Sequence, residues 1–193
     1  QLSLFNSYYH EYCYLPLHVY EGLSGKLVTT LLKPGRRSKN TELYAIAKRL
    51  IEFIEAHWPQ TRIIIRGDSH FTSHPLMDWA EDKPNVSFAT GLSGNQKLNK
   101  IVEQKRKSAE RIFARDKKPV KCYHSFTYKA GSWNHLQRVV AKIEVTERGT
   151  NIRFVVTDMV NVKTRKVYEE IYCARGNMEL RIKDHKTYLK SNR

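Results

Sequence analysis

The beginning of the chain alternates apolar, aromatic and polar residues in the way that β-strands do. Residues 2–20 are rich in Tyr, Leu and Phe and predict a strand pair, or a strand with a following bend. The glycines of Glu21–Gly25 predict a turn, and residues 26–32 continue as the next strand. Two strands joined by a short turn indicate an antiparallel hairpin.

Beyond the hairpin, helical and strand patterns alternate. Apolar residues recur with a 3.6-residue period over Thr41–His57 and predict a helix. The isoleucines within Thr61–Gly67 predict a central strand that is buried on both faces. The next predicted elements are a helix from His74 to about Ala80, a strand at Val86–Thr90 and a basic helix at Lys97–Lys118.

The pattern becomes β-like again over residues 120–160. We predict an antiparallel meander here, inserted at about residues 120–150, before the last helix. That helix begins near Thr164 or Val167 and extends to Leu189. The complete order of elements predicts an α/β fold in which helices flank a mixed sheet.

The charge of the chain narrows the choice of partner. A formal net charge of +15 predicts binding to a polyanion, most simply nucleic acid, with acidic protein or membrane surface as the alternative. The basic helix at Lys97–Lys118 fits either a DNA-contacting helix or a solvated one. No apolar run approaches transmembrane length. The three cysteines are too dispersed for a zinc site or a disulfide framework, which favours a reducing, intracellular setting.

Four residues near the end of the chain would share one face of a single α-helix. They are Tyr172, Arg175, Glu179 and Lys186. At about 100° per residue they would span an arc of roughly 60°. Beside them an apolar stripe would pack into the core, formed by Ile171, Met178, Ile182 and Leu189. An acid among groups that bind phosphate predicts a metal ligand in a polyanion site; a surface helix with incidental charges is the alternative.

This spacing, Tyr-x2-Arg-x3-Glu-x6-Lys, resembles the Y-R-E-K signature of DDE transposases from bacterial insertion sequences, of the group 1 type. A second similarity lies upstream, where the predicted strand ends in Arg66-Gly67-Asp68-Ser69-His70-Phe71. In that family the second catalytic Asp follows such a strand. The segment from Phe88 to Asn95 is also similar to the family, which often has a glycine-bounded strand end there.

The resemblance covers nearly the whole chain and implies an RNase H-like catalytic domain over residues 1–193. In such enzymes three carboxylates hold two divalent metals, and hard oxygen ligands select Mg²⁺ or Mn²⁺. By this resemblance Asp68 is the second acid and Glu179 the third, so both are catalytic and metal-binding. Tyr172, Arg175 and Lys186 are expected near the DNA phosphates, with Tyr172 either donating to a phosphate or stacking on a displaced base. The alternative for Asp68 is an N-cap of the following helix.

The chain departs from the family pattern at the first acid. The family has an Asp on the first strand, but residues 1–67 contain none. The chain also begins at Gln1 and ends soon after the predicted Glu179 helix. We therefore expect a fragment whose first acid precedes Gln1, and we expect this polypeptide alone to be catalytically inactive or nearly so.

The resemblance implies a DNA transposase in the intact parent, acting by two-metal phosphodiester hydrolysis and strand transfer. Its partners would be the double-stranded DNA of transposon ends and target, with a homodimer compatible with a synaptic complex and no membrane. Its location would be the bacterial cytoplasm, at the nucleoid. The alternatives are a non-catalytic basic DNA-binding remnant and an RNase H-like nuclease that only hydrolyses.

Overall fold

The computed structural model describes residues 3–7, 10–34 and 39–188. The strands are β1 (Leu4–Asn6), β2 (Glu11–Cys13), β3 (Leu17–Tyr20), β4 (Leu27–Leu31), β5 (Ile63–Gly67), β6 (Val86–Leu92), β7 (Val120–Tyr128), β8 (Gln137–Thr146) and β9 (Gly149–Thr157). The α-helices are α1 (Asn40–His57), α2 (His74–Glu81), α3 (Gln96–Ile101), α4 (Glu103–Asp116), α5 (Thr164–Lys166) and α6 (Gly176–Tyr188). There are also 3₁₀ turns at Ser69–Phe71 and Cys173–Arg175, and a π-helix at Val167–Tyr172.

The chain divides into two compact units. The first combines residues 1–39 with 174–193, and the second comprises residues 40–173. In the first unit β1 pairs with β2 and β3 pairs with β4, both antiparallel, so the predicted hairpin is confirmed. Helix α6 lies in the same unit, where Tyr20, Gly25, Arg181 and Asp184 line a groove.

The second unit is built on a five-stranded mixed sheet with the order β5-β6-β9-β8-β7. Strands β5 and β6 are parallel, and the other neighbouring pairs are antiparallel. The fold is therefore mixed α/β with helices flanking the sheet, consistent with the predicted RNase H-like class. The stretch predicted as an insertion supplies β7 and β8, which share this sheet with β5 and β6. That this stretch is an insertion stays a prediction. The single catalytic domain over residues 1–193 also stays a prediction.

Both faces of this sheet are covered, as the alternation of its side chains requires. On one face Phe88, Val139 and Val156 pack with residues of α1 to α4, including Ile51 and Met77. On the other face the core consists of Ala89, Val140, Val155, Val167 and Tyr168. The π-helix therefore covers the face opposite to the main helices.

Three expectations about individual elements are wrong. Strand β5 is not central: in the described part of the chain it pairs only with β6, and Ile64 is 46% exposed. The basic helix is two helices, because the fully buried Val102 leaves helical geometry between α3 and α4. The last helix is not one regular α-helix, since π and 3₁₀ geometry occupy residues 167–175.

Candidate functional site

Asp68 lies immediately after the last residue of β5, at the carboxyl end of the parallel pair β5–β6. Such strand ends are where α/β sheets place functional carboxylates. The backbone N–H of His70 donates to Asp68 Oδ1 over 2.9 Å, so Asp68 caps the 3₁₀ turn Ser69–Phe71. The capping alternative is thus observed, but it occupies only one carboxylate oxygen.

His70 completes the contacts of this carboxylate. Its Nδ1 lies 3.0 Å from Asp68 Oδ1, the oxygen that also accepts from the His70 backbone. The Asp68 side chain is 48% exposed, and Oδ2 has no donor among the described residues. One oxygen is therefore oriented by the protein while the other is available to a ligand.

The loop that follows Asp68 is fixed to the neighbouring strand. The Thr72 hydroxyl donates to the backbone carbonyl of Gly91 and lies 2.8 Å from the Thr90 hydroxyl. At the other end a Cβ on Gly67 would lie 2.5–2.8 Å from three Phe71 side-chain atoms. The turn can fold back over its own strand only because Gly67 has no side chain.

Tyr172 reaches this loop from the last residue of the π-helix. A Cβ built on Gly91 would lie 2.7 Å from Tyr172 Oη, 3.2 Å from Ser69 N and 3.4 Å from the Asp68 carbonyl carbon. The Tyr172 hydroxyl and the Asp68–Ser69 peptide therefore both border the space above Gly91. Two residues 104 positions apart in the sequence, from separate motifs, are brought together within one compact unit.

The segment that carries Tyr172 is anchored by polar contacts. Glu169 accepts hydrogen bonds from the Tyr123 hydroxyl and from Arg165 Nε, the latter over 2.8 Å. These contacts, the Tyr123 bond first, lower the pKa of Glu169. Burial raises the pKa of Tyr168 to about 12, so its phenol stays neutral beside the Tyr172 ring. This network holds the π-helix against the sheet.

The other three predicted site residues lie in the first unit. Glu179 is exposed in the first turn of α6, and Arg175 is half-buried at the end of the 3₁₀ turn. Lys186 falls within the bounds of α6, but its side chain lies outside the described part of the structure, as does Leu189 of the predicted stripe. The prediction that the four signature residues share one helix face assumed a single regular α-helix, so that prediction is wrong. The convergence of Asp68 with Glu179 stays a prediction.

Sequence reasoning missed a group of polar side chains at the opposite end of the sheet. Asp78 and Glu81 of α2 and His135 offer ligand atoms that lie within 4.8 Å of one another and could hold a metal ion. Asn134 Nδ2 donates to Asp78 over 2.6 Å, and the buried Gln137 donates to Glu81 over 2.9 Å. The i, i+3 spacing of the two acids was the only sequence signal.

A half-buried acid lies at the same end of the sheet. Asp158 Oδ1 accepts from the Phe88 backbone N–H over 2.9 Å, near the start of β6. Burial raises the pKa of Asp158, and the Phe88 hydrogen bond opposes this shift. The sequence did not single out this residue.

Comparison with known families decides the identity of the domain. The sequence profile described as transposase DDE domain group 1 matches residues 1–193, the whole chain. The chain belongs to this family. No curated protein matches it.

Membership of the DDE transposase family implies transposase function in general, DNA as a partner and the use of divalent metals. Asp68 is a strand-end carboxylate with one oxygen available, and its role as a metal ligand stays a prediction. The cluster of Asp78, Glu81 and His135 also offers metal-ligand chemistry, but it does not include Asp68. In the described part of this DDE domain no helix is long and apolar enough to cross a membrane.

Proposed function

We propose that residues 1–193 belong to the catalytic core of an insertion-sequence DNA transposase, a class of enzyme that cleaves phosphodiester bonds and transfers strands at transposon ends. Asp68 and Glu179 are its catalytic metal ligands, and Tyr172, Arg175 and Lys186 bind DNA phosphates. The observation that carries this proposal is that the Tyr172 hydroxyl and the Asp68–Ser69 peptide both border the space above Gly91. It supports a shared site for the strand-end acid and the signature tyrosine.

Bound Mg²⁺ or Mn²⁺ would supply the activation of water or a 3′-hydroxyl and the stabilisation of the leaving oxygen. Asp68 would hold the metal through Oδ2, because His70 fixes its Oδ1. An oriented carboxylate binds a cation with less loss of side-chain freedom than a mobile one. Glu179, the third acid of the family pattern, would supply a further carboxylate.

The remaining residues bind the DNA backbone. The Tyr172 hydroxyl donates a hydrogen bond to a phosphate oxygen next to Asp68. Arg175 binds phosphate through two parallel N–H groups, and Lys186 provides a point charge. The net charge of +15 attracts the duplex over a longer range. The proposed setting is the nucleoid of a bacterial cytoplasm, with a homodimer joining two DNA ends.

Metal binding tests the assignment of the acids. Mn²⁺ affinity is measured by electron paramagnetic resonance on the full chain and on Asp68→Asn, Glu179→Gln and the control Asp82→Asn. We expect the first two variants to lose at least about tenfold in affinity and the control to lose nothing. Asn is as good an N-cap as Asp, so Asp68→Asn keeps the turn. Unchanged Mn²⁺ affinity in Asp68→Asn, with loss in Asp78→Asn instead, would move the metal to the opposite end of the sheet.

One observation favours a second function, a basic DNA-binding domain without catalysis: residues 1–67 contain no Asp for a first acid. Fluorescence anisotropy with a labelled duplex, together with nicking of supercoiled plasmid, separates the two functions. We expect DNA affinity that falls steeply with salt, retained in Glu179→Gln, and no nicking by this chain. A lower Mn²⁺ affinity in Asp68→Asn, with DNA affinity unchanged, supports the transposase assignment. DNA binding by a chain whose Mn²⁺ affinity does not change in Asp68→Asn supports the non-catalytic DNA-binding domain.

A further inference from the structure

The space above Gly91 is filled by another residue. The virtual Cβ distance of 2.7 Å to Tyr172 Oη is shorter than side-chain contacts allow. Gly91 lies in β6, where it pairs with Val155, and its φ is not in the left-handed region. A requirement for positive φ therefore does not explain why position 91 is a glycine. The absence of a side chain admits the Tyr172 hydroxyl.

Arg66 fixes the same segment from the other strand. Its Nη1 donates to the carbonyl oxygen of Ile171 over 3.2 Å. Arg66 lies in β5, two residues before Asp68, and Ile171 lies one residue before Tyr172. Arg66 thus joins β5, which precedes Asp68, to the π-helix that carries Tyr172. A hydrogen bond from a charged donor is one of the stronger classes.

We propose that Gly91 and Arg66 are positioning residues: they keep the Tyr172 hydroxyl in the space above Gly91, which the Asp68–Ser69 peptide also borders, and there it binds a DNA phosphate. Neither residue belongs to the signature spacing or to the acids. The inference rests on the proposed function for its DNA step, but the holding of Tyr172 is a property of the folded chain alone. The test therefore has one arm without DNA and one with it.

The first arm is a double-mutant cycle on thermal unfolding of the full chain. Gly91→Ala places a methyl group against Tyr172 Oη and should lower the Tm by about 5 °C. In a Tyr172→Phe background the hydroxyl is gone, so the same substitution should cost less than half as much. Gly94→Ala is the matched control, since its Cβ would make only ordinary contacts, at 3.5 Å and beyond, with Phe154.

The second arm measures affinity for a fluorescein-labelled duplex by anisotropy. Tyr172→Phe and Gly91→Ala should each weaken binding by about tenfold, the loss expected for one hydrogen bond to a charged oxygen. Arg66→Gln should weaken binding more than Arg62→Gln, which removes the same charge from an exposed position four residues away. In the Tyr172→Phe background this excess loss should disappear.

The outcomes separate the two proposals. Equal unfolding costs of Gly91→Ala in both backgrounds would overturn the holding of Tyr172. Coupled unfolding without any change in DNA affinity would show a purely structural contact and overturn the positioning role. If the unsubstituted chain binds no DNA, the proposed function fails, and the unfolding cycle still decides whether Gly91 holds Tyr172.

Discussion

The two ends of the five-stranded sheet both carry acids, but they use them differently. At the carboxyl end of β5, Asp68 keeps one oxygen without a donor among the described residues. At the opposite end, Asp78, Glu81 and Asp158 each accept a hydrogen bond from Asn134, Gln137 or the Phe88 backbone. The donors at the opposite end lie 56 to 70 residues away in the sequence, so those acids join distant segments, whereas in the described part of the chain Asp68 accepts only from within its own turn.

The largest effect is expected from filling the space that lets the Asp68 turn close. Gly67→Ala would place a methyl group 2.5–2.8 Å from Phe71 side-chain atoms, one of them the Phe71 Cβ, which cannot swing aside. We expect a loss of about 3 kcal/mol in the free energy of unfolding, measured with urea. Gly131→Ala is the control, because a Cβ there meets nothing within 4 Å. Equal stability of the two variants would contradict the packing of this turn.

The next effect concerns Asp158, the half-buried acid at the opposite end. Asp158→Ala should be less stable than Asp158→Asn by about 2 kcal/mol, because the Phe88 N–H loses its acceptor. Burial raises the pKa of Asp158, so the folded state favours the protonated acid. As the pH falls from that raised pKa toward the ordinary value of 3.8, the unsubstituted chain should gain stability relative to Asp158→Asn. A constant difference between the two across this range would refute the burial argument.

A much smaller change in stability is expected at the Asp68 end. Asp68→Asn retains the oxygen that accepts from His70, so its free energy of unfolding should stay within about 0.5 kcal/mol of the unsubstituted chain. Its Mn²⁺ affinity should nevertheless fall. The contrast with Asp158→Ala would identify Asp68 as an acid for binding. A large loss of stability in Asp68→Asn would make it a structural acid like the others.

The smallest effect is expected at His135. Its side chain is 63% exposed, 3.4 Å from Glu81 and 3.7 Å from Asp78. Exposed ion pairs contribute little, so His135→Ala should change stability by less than about 0.5 kcal/mol. Urea unfolding at neutral pH measures this change. A larger loss would mean that the three residues act as one stabilising cluster.

Sequence reasoning predicted the parts of the fold that depend on local pattern. The hairpin, helix α1 and the strand ahead of Asp68 all follow from side-chain period and turn residues. Sequence reasoning also predicted that Asp68 lies at a strand end, because the apolar run of isoleucines is followed by Arg-Gly-Asp. The same apolar run wrongly suggested a central strand, since composition alone does not report which neighbours a strand has.

The parts that could not be predicted depend on contacts between distant residues. The regular period assumed for the last helix fails because π geometry begins at Val167, where the segment packs on the sheet. The approach of Tyr172 to Asp68 depends on Gly91, which belongs to a third segment. The contact of Asp78 with His135 could not be predicted, because the two residues lie 57 positions apart in the sequence.

Strand β7 has a consequence for handling the protein at high concentration. It pairs with β8 over all nine of its residues, and the described residues provide no strand along its other edge. An open strand edge is a site where two molecules can begin to aggregate by strand addition. Lys121 is exposed on this strand, and lysine at an edge opposes such pairing. The solubility of concentrated stocks should therefore depend on this lysine.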